Sequence, residues 1–454
     1  MASPSSRRPA PGRATGHGLA STEKRAPIGY AVAALNKLAQ SDVLDRLGLR
    51  ERTERIVHGA TSNGFRSMAA VSRAFSRKGS AEAGVRPAPA NPAGVFDLTP
   101  SEDEQMLVDV VREYAREVLA PNAAEADDSC TTSDVVLKAS VEIGLPILGL
   151  PESVGGISEE RSAMTGALVA EALSQGDMGQ ALAVLAPGSV ATAIGLWGTD
   201  EQQQTYLPAF TGDDVAAAAV ALAEPMVLFD AMTPATRATR TDDGFTLDGV
   251  KSAVVRGAEA ELFVVGALLD DRPALFLVES SAAGLTVEAD PSMGVRAAGL
   301  TKISLDGTPA QLLGDSEGRA YADCVRLARV GWCALAVGTA QSVLDYVTDY
   351  VKTREAFGEP IAHRQSVAFM VADIAIELQA MRLLTWRAAS RAAQGKDFAR
   401  EVALARRLCA EKGMKIGLDG VQLLGGHGFV KEHPVERWYR DLRAVGVMEG
   451  AVLV

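Results

Sequence analysis

The sequence predicts a mainly α-helical protein with a β domain in its middle, and three observations carry that expectation. Apolar residues fill 47% of the 454 positions but aromatics only 5%, so Ala, Val and Leu occupy most candidate core sites. Small aliphatic side chains of this kind suit helix–helix packing better than an all-β core. The spacing of the apolar positions changes twice: helical up to about Phe210, strand-like between about Val215 and Gly318, and helical again from Tyr321. A chain of this length also exceeds one ordinary core, so two or three packed units are expected.

In order, residues 1–96 are a basic N-terminal extension and linker, partly disordered. Residues 1–95 hold 15 Lys and Arg against 6 Asp and Glu, a net of +9, whereas the remaining 359 carry a net of −21. Ser, Pro, Arg and Gly dominate residues 1–28. Ala34, Leu35, Leu38, Val43, Leu44 and Leu47 then fall on one helical stripe. Pro87, Pro89 and Pro92 mark a linker over 79–96. Two readings of the extension stand side by side: a contact surface for an acidic partner or anionic membrane, and a basic arm packed on its own body.

Residues 97–214 form the N-terminal helical unit. Thr99-Pro100-Ser101-Glu102 reads as a helix start capped by Thr99. Breaks are expected at Pro121, Pro151 and Pro187. The uncharged stretch Gln180–Trp197 reads as two buried helical pieces meeting at a turn, not as a membrane span. Residues 215–320 form the β domain, with strand-like runs at 245–247, 262–265, 274–278 and 285–287. Asp242-Asp243-Gly244, Asp248-Gly249 and Asp306-Gly307 read as turns between them. Residues 321–454 resume long helices, with Leu327, Val330, Ala334, Val337, Leu344, Val347 and Val351 on one apolar face.

Several classes are set aside. Cys130, Cys324, Cys333 and Cys409 show no C-x-x-C and no zinc-like spacing, so buried reduced thiols in a cytoplasmic setting are expected and a metal site is not. The N-terminus has arginines but no apolar core of a secretory signal. The body is acidic and the basic arm lacks interleaved aromatics, which argues against nucleic-acid binding.

Local sequence is more specific than element order. Arg354-Glu-Ala-Phe357-Gly358-Glu-Pro360-Ile361, followed by Gln365, is similar to the R-x-x-F-G-x-P-I…Q segment of acyl-CoA dehydrogenases. Asp419-Gly-Val-Gln422-Leu-Leu-Gly425-Gly426-His-Gly428-Phe429 resembles that family's Q-x-x-G-G-x-G-[FY] loop. Pro434-Val-Glu-Arg437-Trp-Tyr-Arg440-Asp441 leads to Met448-Glu449-Gly450, where medium-chain-type members carry a catalytic glutamate. Weaker matches reach back through Trp197-Gly198-Thr199-Asp200-Glu201-Gln202 to Gly144-Leu145, so the resemblance spans about 97–454.

The resemblance implies an N-terminal helical domain, a β-barrel-like middle domain and a C-terminal four-helix bundle. It implies FAD at a subunit interface in a homo- or hetero-oligomer, an acyl-CoA substrate, and an electron-transferring flavoprotein as acceptor. Arg354 would reach the pyrophosphate of the neighbour's flavin, a role that suits its two-pronged donor geometry. Phe357 would pack near the nucleotide, with Gln422, Gly425 and Gly426 closing over it. Glu449, 27 residues beyond Gln422, would take the substrate α-proton, with Arg329 nearby. A usable base must be dry and have its pKa raised, and Val445, Val447 and Met448 predict an apolar setting for it.

The middle domain departs from the family. Where most members read T-E-P-x-A-G-S-D, this chain reads Ala223-Glu224-Pro225-Met226-Val227-Leu228-Phe229-Asp230. Where they read K-x-[WF]-I-[TS]-N-G, it reads Lys251-Ser-Ala253-Val254-Val255-Arg256-Gly257. The hydroxyls and the aromatic that face the flavin ring are thus lost at 223, 229, 253 and 255. Ala298 and Ala451 replace a usual serine and threonine. Two readings follow: a dehydrogenase with shared flavin sites, and a redox-inactive subunit that completes the flavin site of a catalytic partner.

Overall fold

The computed structural model describes residues 98, 100–156, 160–212, 214–242 and 244–454. The expectations for residues 1–96 lie outside the described residues.

Helix α1 (Glu102–Tyr114) starts at Ser101, whose hydroxyl accepts from the Glu104 amide while the Glu104 carboxylate accepts from the Ser101 amide. The cap is therefore Ser101 and not Thr99. Both positions have an acid three residues on, and a tertiary contact favours the second: the other Glu104 oxygen accepts from Thr165 Oγ1 at 2.9 Å. A π-helical turn, Ala115–Leu119, joins α1 to α2 (Ala120–Ser129), so Pro121 sits harmlessly in a first turn instead of breaking the helix. After α3 (Asp134–Glu142) come α4 (Ala163–Ser174), α5 (Met178–Trp197) and α6 (Asp200–Tyr206).

The expected break at Pro187 is absent, because α5 is one helix of 20 residues. Every residue from Met178 to Ile194 is buried, and packing on all sides outweighs the ~3 kcal/mol that an interior proline costs. Both α5 and the later α7 are long and apolar enough to cross a membrane, and both are mostly buried inside this fold.

The middle domain contains seven strands: β1 (Ala218–Ala221), β2 (Arg237–Thr241), β3 (Gly244–Val255), β4 (Leu262–Leu269), β5 (Arg272–Glu279), β6 (Leu285–Ala289) and β7 (Leu300–Leu313). Pairing runs β4–β2–β3–β7–β5 and back to β4, which closes a barrel; β1 extends β4 in parallel and β6 extends β7. Alternate residues divide between two cores. Phe263, Val265, Phe276 and Val278 fill the barrel, while Leu262, Val264, Leu275 and Leu277 join the helical core. Two of the expected turns are not turns. Asp248-Gly249 and Asp306-Gly307 lie inside β3 and β7, where Gly249 and Gly307 take positive φ and the β3–β7 register slips between Leu247 and Gly249. Glycine marks bulges that bend long strands here.

The C-terminal helices are α7 (Arg319–Thr353), α8 (Gln365–Ala393), α9 (Ala399–Leu424) and α10 (Val435–Ala444). A two-residue hairpin, β8 (Glu355–Ala356) and β9 (Glu359–Pro360), links α7 to α8. Helix α7 packs on α8, α9, α10 and α4, and so joins the two helical regions.

Candidate active site

Glu449 lies on a turn where the C-terminal helices meet the β domain. From α7, Trp332 Nε1 donates to the Gly450 carbonyl at 2.9 Å. From α9, Arg406 donates to the Met448 carbonyl. From the sheet, Ala221 at the end of β1 bridges to Gly450. Gly450 has φ +75°, and a Cβ there would come within 3.1 Å of Leu222, so the Glu-Gly pair follows from how closely the turn approaches the barrel.

The carboxylate is buried and ionic. Arg329, one turn before Trp332 on α7, donates from Nε to both Glu449 oxygens at 3.1 and 3.0 Å and from Nη2 to Oε1 at 2.8 Å. Arg406 Nη2 stands 3.5 Å from Oε1. Burial works to lower the Arg329 pKa, but the Glu449 contact outweighs it and the net shift is upward. Burial lowers that of Arg406 despite the same carboxylate, and Arg406 Nη1 has no hydrogen-bond partner among the described residues. The apolar setting expected from Val445, Val447 and Met448 is thus not what surrounds the carboxylate. Val445 and Met448 are buried, but Val447 is 74% exposed and two guanidiniums face the oxygens. To act as a base, Glu449 must swing away from Arg329.

The other predicted residues lie on an exposed ledge. Arg354 caps α7 and is exposed. Phe357 is 94% exposed at the tip of the β8–β9 hairpin, where it and Gly358 both take positive φ, and the Arg364 guanidinium covers its ring at 5.1 Å. Gln422 is exposed on the last turn of α9, followed by Gly425 at φ +60°. A Cβ at Gly425 or Gly426 would meet nothing within 4 Å, so no neighbour in this chain requires those glycines. Tyr350 Oη contacts His427 Nδ1 at 3.3 Å and ties the end of α7 to the diglycine turn.

The structure keeps Glu449 and this ledge apart. Its partner Arg329 and Arg354 are 25 residues apart along α7, from 329 to 354, which is roughly 37 Å of helix.

On the barrel side, Glu224 and Lys251 pair at 2.7 Å in the interior, and Glu224 also accepts from Ala235 N, Thr236 N and Thr236 Oγ1. The four substituted positions offer no side-chain donor. Ala223 and Val255 are buried, and Ala253 takes φ +52° with its amide donating to Asp290 at 2.8 Å. The exposed ledge, with an exposed arginine and two glycines that no neighbour crowds, could hold a flavin dinucleotide. On the barrel side, positions 223, 229, 253 and 255 supply no side-chain hydrogen bond for a ring. Among the described residues, no group of three or more His, Cys, Asp and Glu is placed to hold a metal.

Three domain profiles match the chain: the acyl-CoA dehydrogenase N-terminal domain at residues 101–213, the middle domain at 219–308 and the C-terminal domain at 319–452. The chain belongs to the acyl-CoA dehydrogenase family. It is 32% identical to cyclohex-1-ene-1-carbonyl-CoA dehydrogenase of Geobacter metallireducens, over 77% of this chain and 95% of that protein. It is likewise 32% identical to the mitochondrial short-chain specific acyl-CoA dehydrogenase of Bos taurus, over 77% and 87%. The solved structure of butyryl-CoA dehydrogenase from Megasphaera elsdenii matches with a TM-score of 0.71 at 26% identity, over 78% of this chain and 96% of that one.

Sequence reasoning missed Arg406 in this acyl-CoA dehydrogenase. Its signal was available: it stands one turn from Val402 and from Cys409, on the buried stripe of α9, where a solvated arginine would not be expected.

Proposed function

We propose that this family member catalyses flavin-dependent α,β-dehydrogenation of an acyl-CoA thioester, with Glu449 as base, in an oligomer whose subunits share flavin sites. The observation that carries this reading is the separation along α7. Glu449 and the Arg354 ledge stand too far apart to serve one cofactor molecule, and each supplies the kind of group that one end of such a site needs. Arg354 would hold a neighbour's pyrophosphate, Phe357 and Gln422 would flank it, and Gly425 and Gly426 would let it approach. FAD held there would supply the hydride acceptor for the β-hydrogen, and Glu449, turned from Arg329, would take the α-proton; an electron-transferring flavoprotein would be the electron acceptor.

A second reading, a redox-inactive subunit that completes a paralogue's flavin site, is favoured by Ala223, Phe229, Ala253 and Val255. Missing hydrogen bonds there cost on the order of 0.5–1.5 kcal/mol each. The deciding measurement is the visible flavin spectrum of the protein purified alone and with a paralogue. Stoichiometric flavin in the protein alone, lost in Arg354→Ala, is expected for shared sites between identical copies. Flavin and acyl-CoA oxidation only with the paralogue would establish the heteromeric reading instead.

A further inference from the structure

A second cluster of buried charges lies where α2, α5, α10 and the β domain come together. Asp177 caps α5: its Oδ1 accepts from the Gln180 amide at 2.9 Å, and Arg437 Nε stands 3.2 Å from its Oδ2. Asp441, one turn beyond Arg437 on α10, accepts from the Val295 amide at 2.6 Å. Both carboxylates are 1% exposed. The other charged groups nearby are engaged elsewhere. Arg440 grips Asp127 of α2 at 2.8 and 2.9 Å and Glu436 at 2.8 and 3.0 Å. Arg296 faces Asp127 at 3.9 Å and Cys130 Sγ at 3.3 Å, and Lys431 pairs with Asp128. On α9, Lys415 takes Asp419 at 2.6 Å, and Tyr346 of α7 contacts His433 at 2.6 Å. Among the described residues, Arg437 alone is left to balance both Asp177 and Asp441.

The segment that Asp441 holds joins β6 to β7. Val295 takes φ +49°, a strained conformation for a β-branched residue. Arg440 donates to the Met293 carbonyl at 3.0 Å, and a Cβ at Gly294 would stand 2.3 Å from the Arg440 carbonyl oxygen. At the far end of the segment, the Ala298 carbonyl accepts from the Arg256 amide at 3.1 Å, directly after Val255 of β3.

We infer that Asp177 and Asp441 hold one proton between them, and that this proton latches residues 293–298 of the β domain onto α10. With one carboxyl neutral, Arg437 balances the other, and Asp441 keeps the Val295 amide. Loss of the proton leaves two buried anions on one guanidinium. Turning Asp441 out to solvent relieves that repulsion, releases the strained Val295 and loosens the end of β3 that carries Val255. Burial, reinforced by the Asp177 anion, pushes the Asp441 carboxyl up to about 8, and burial raises that of Asp177 as well. An aspartate open to solvent ionises at about 3.9, so the latched form binds more protons than the open one. Latching is therefore strongest at low pH and weakens as pH rises through the interval between those two values.

The test is amide hydrogen exchange of the full chain, read by mass spectrometry on the peptide spanning 293–298 and corrected for intrinsic exchange at each pH. One proton released on opening makes protection fall by roughly tenfold per unit between about pH 6 and 8 and level off above. Asp441→Asn keeps an acceptor for the Val295 amide and cannot ionise, so its protection should vary by less than about threefold over the same range. Flat protection in the unmodified chain overturns the inference, and so does an equal slope in the two chains. A second measurement needs no variant and covers an Asp441→Asn chain that does not fold. In the unmodified chain carrying isotope-labelled aspartate, the infrared spectrum should show a protonated aspartic carboxyl at about pH 6 that is gone by about pH 9. A band absent at the lower pH, or unchanged at the higher, sinks the shared proton and the latch with it.

Discussion

Two buried glutamates, Glu224 and Glu449, each face a cation, and their surroundings differ in one respect that separates scaffold from chemistry. Glu224 accepts from Lys251 and from three donors at residues 235 and 236, and neither side chain of the pair is more than 2% exposed. Burial alone would raise the Glu224 pKa, but Lys251 and Thr236 hold it below the usual carboxylate range. Among the described residues, Glu449 takes hydrogen bonds from guanidinium groups alone, on a turn pinned through its backbone, and beside it Arg406 Nη1 has no partner. A fully satisfied carboxylate cannot leave without stranding its partners. One held only by guanidinium side chains can exchange them for a substrate.

The comparison is sharpened first by Glu449→Gln. Acyl-CoA oxidation by the flavin-loaded enzyme should fall by roughly 10²–10⁴-fold, the usual contribution of a general base, with the fold intact by circular dichroism. Turnover that survives the change would remove Glu449 from the mechanism.

Lys251→Met should act on stability instead, losing about 3–5 kcal/mol in urea denaturation because Glu224 is left as an unpaired buried charge. The pair also carries a pH signature. Burial pushes the Lys251 ammonium down to about 8, with Glu224 opposing that shift. Unfolded lysine holds its proton up to about 10.4, so between these values the unfolded state binds more protons and stability rises with pH. That rise should appear in the unmodified chain and vanish in Lys251→Met; a flat difference between the two would show that Lys251 keeps its proton throughout.

The smallest effect is expected at Arg406. Arg406→Met should shift unfolding free energy by less than about 1.5 kcal/mol, since it also removes a guanidinium nitrogen that has no partner. Turnover should nevertheless drop roughly tenfold or more through misplacement of the 448–450 turn, and Arg406→Lys should recover most of it. Equal losses in the two variants would make Arg406 a packing residue only.

Much of this was legible in the sequence, for identifiable reasons. The change of period located the barrel, and the Arg354 and Gln422 segments carried the family. Long strand β7 was not legible: Asp306-Gly307 and Pro309 interrupt its alternation, and only pairing with β3, β5 and β6 reveals the strand. Pro187 misled because a proline rule cannot weigh burial on all sides. The ionic setting of Glu449 was hidden because its partners come from positions 120 and 43 residues away. Neighbouring residues in the chain, such as Val447, predicted the wrong environment.

Helix α5 has one more consequence. It touches α4, α7, β1 and β4, and no residue from Met178 to Ile194 is exposed. Peeling away any one layer would uncover an apolar rod that no solvent-facing stripe protects, so intermediate states with one layer detached are strongly disfavoured. The amides of α5 are then expected to exchange with solvent only in the largest openings of the body. The helix that resembles a membrane span makes this folded body a single cooperative unit.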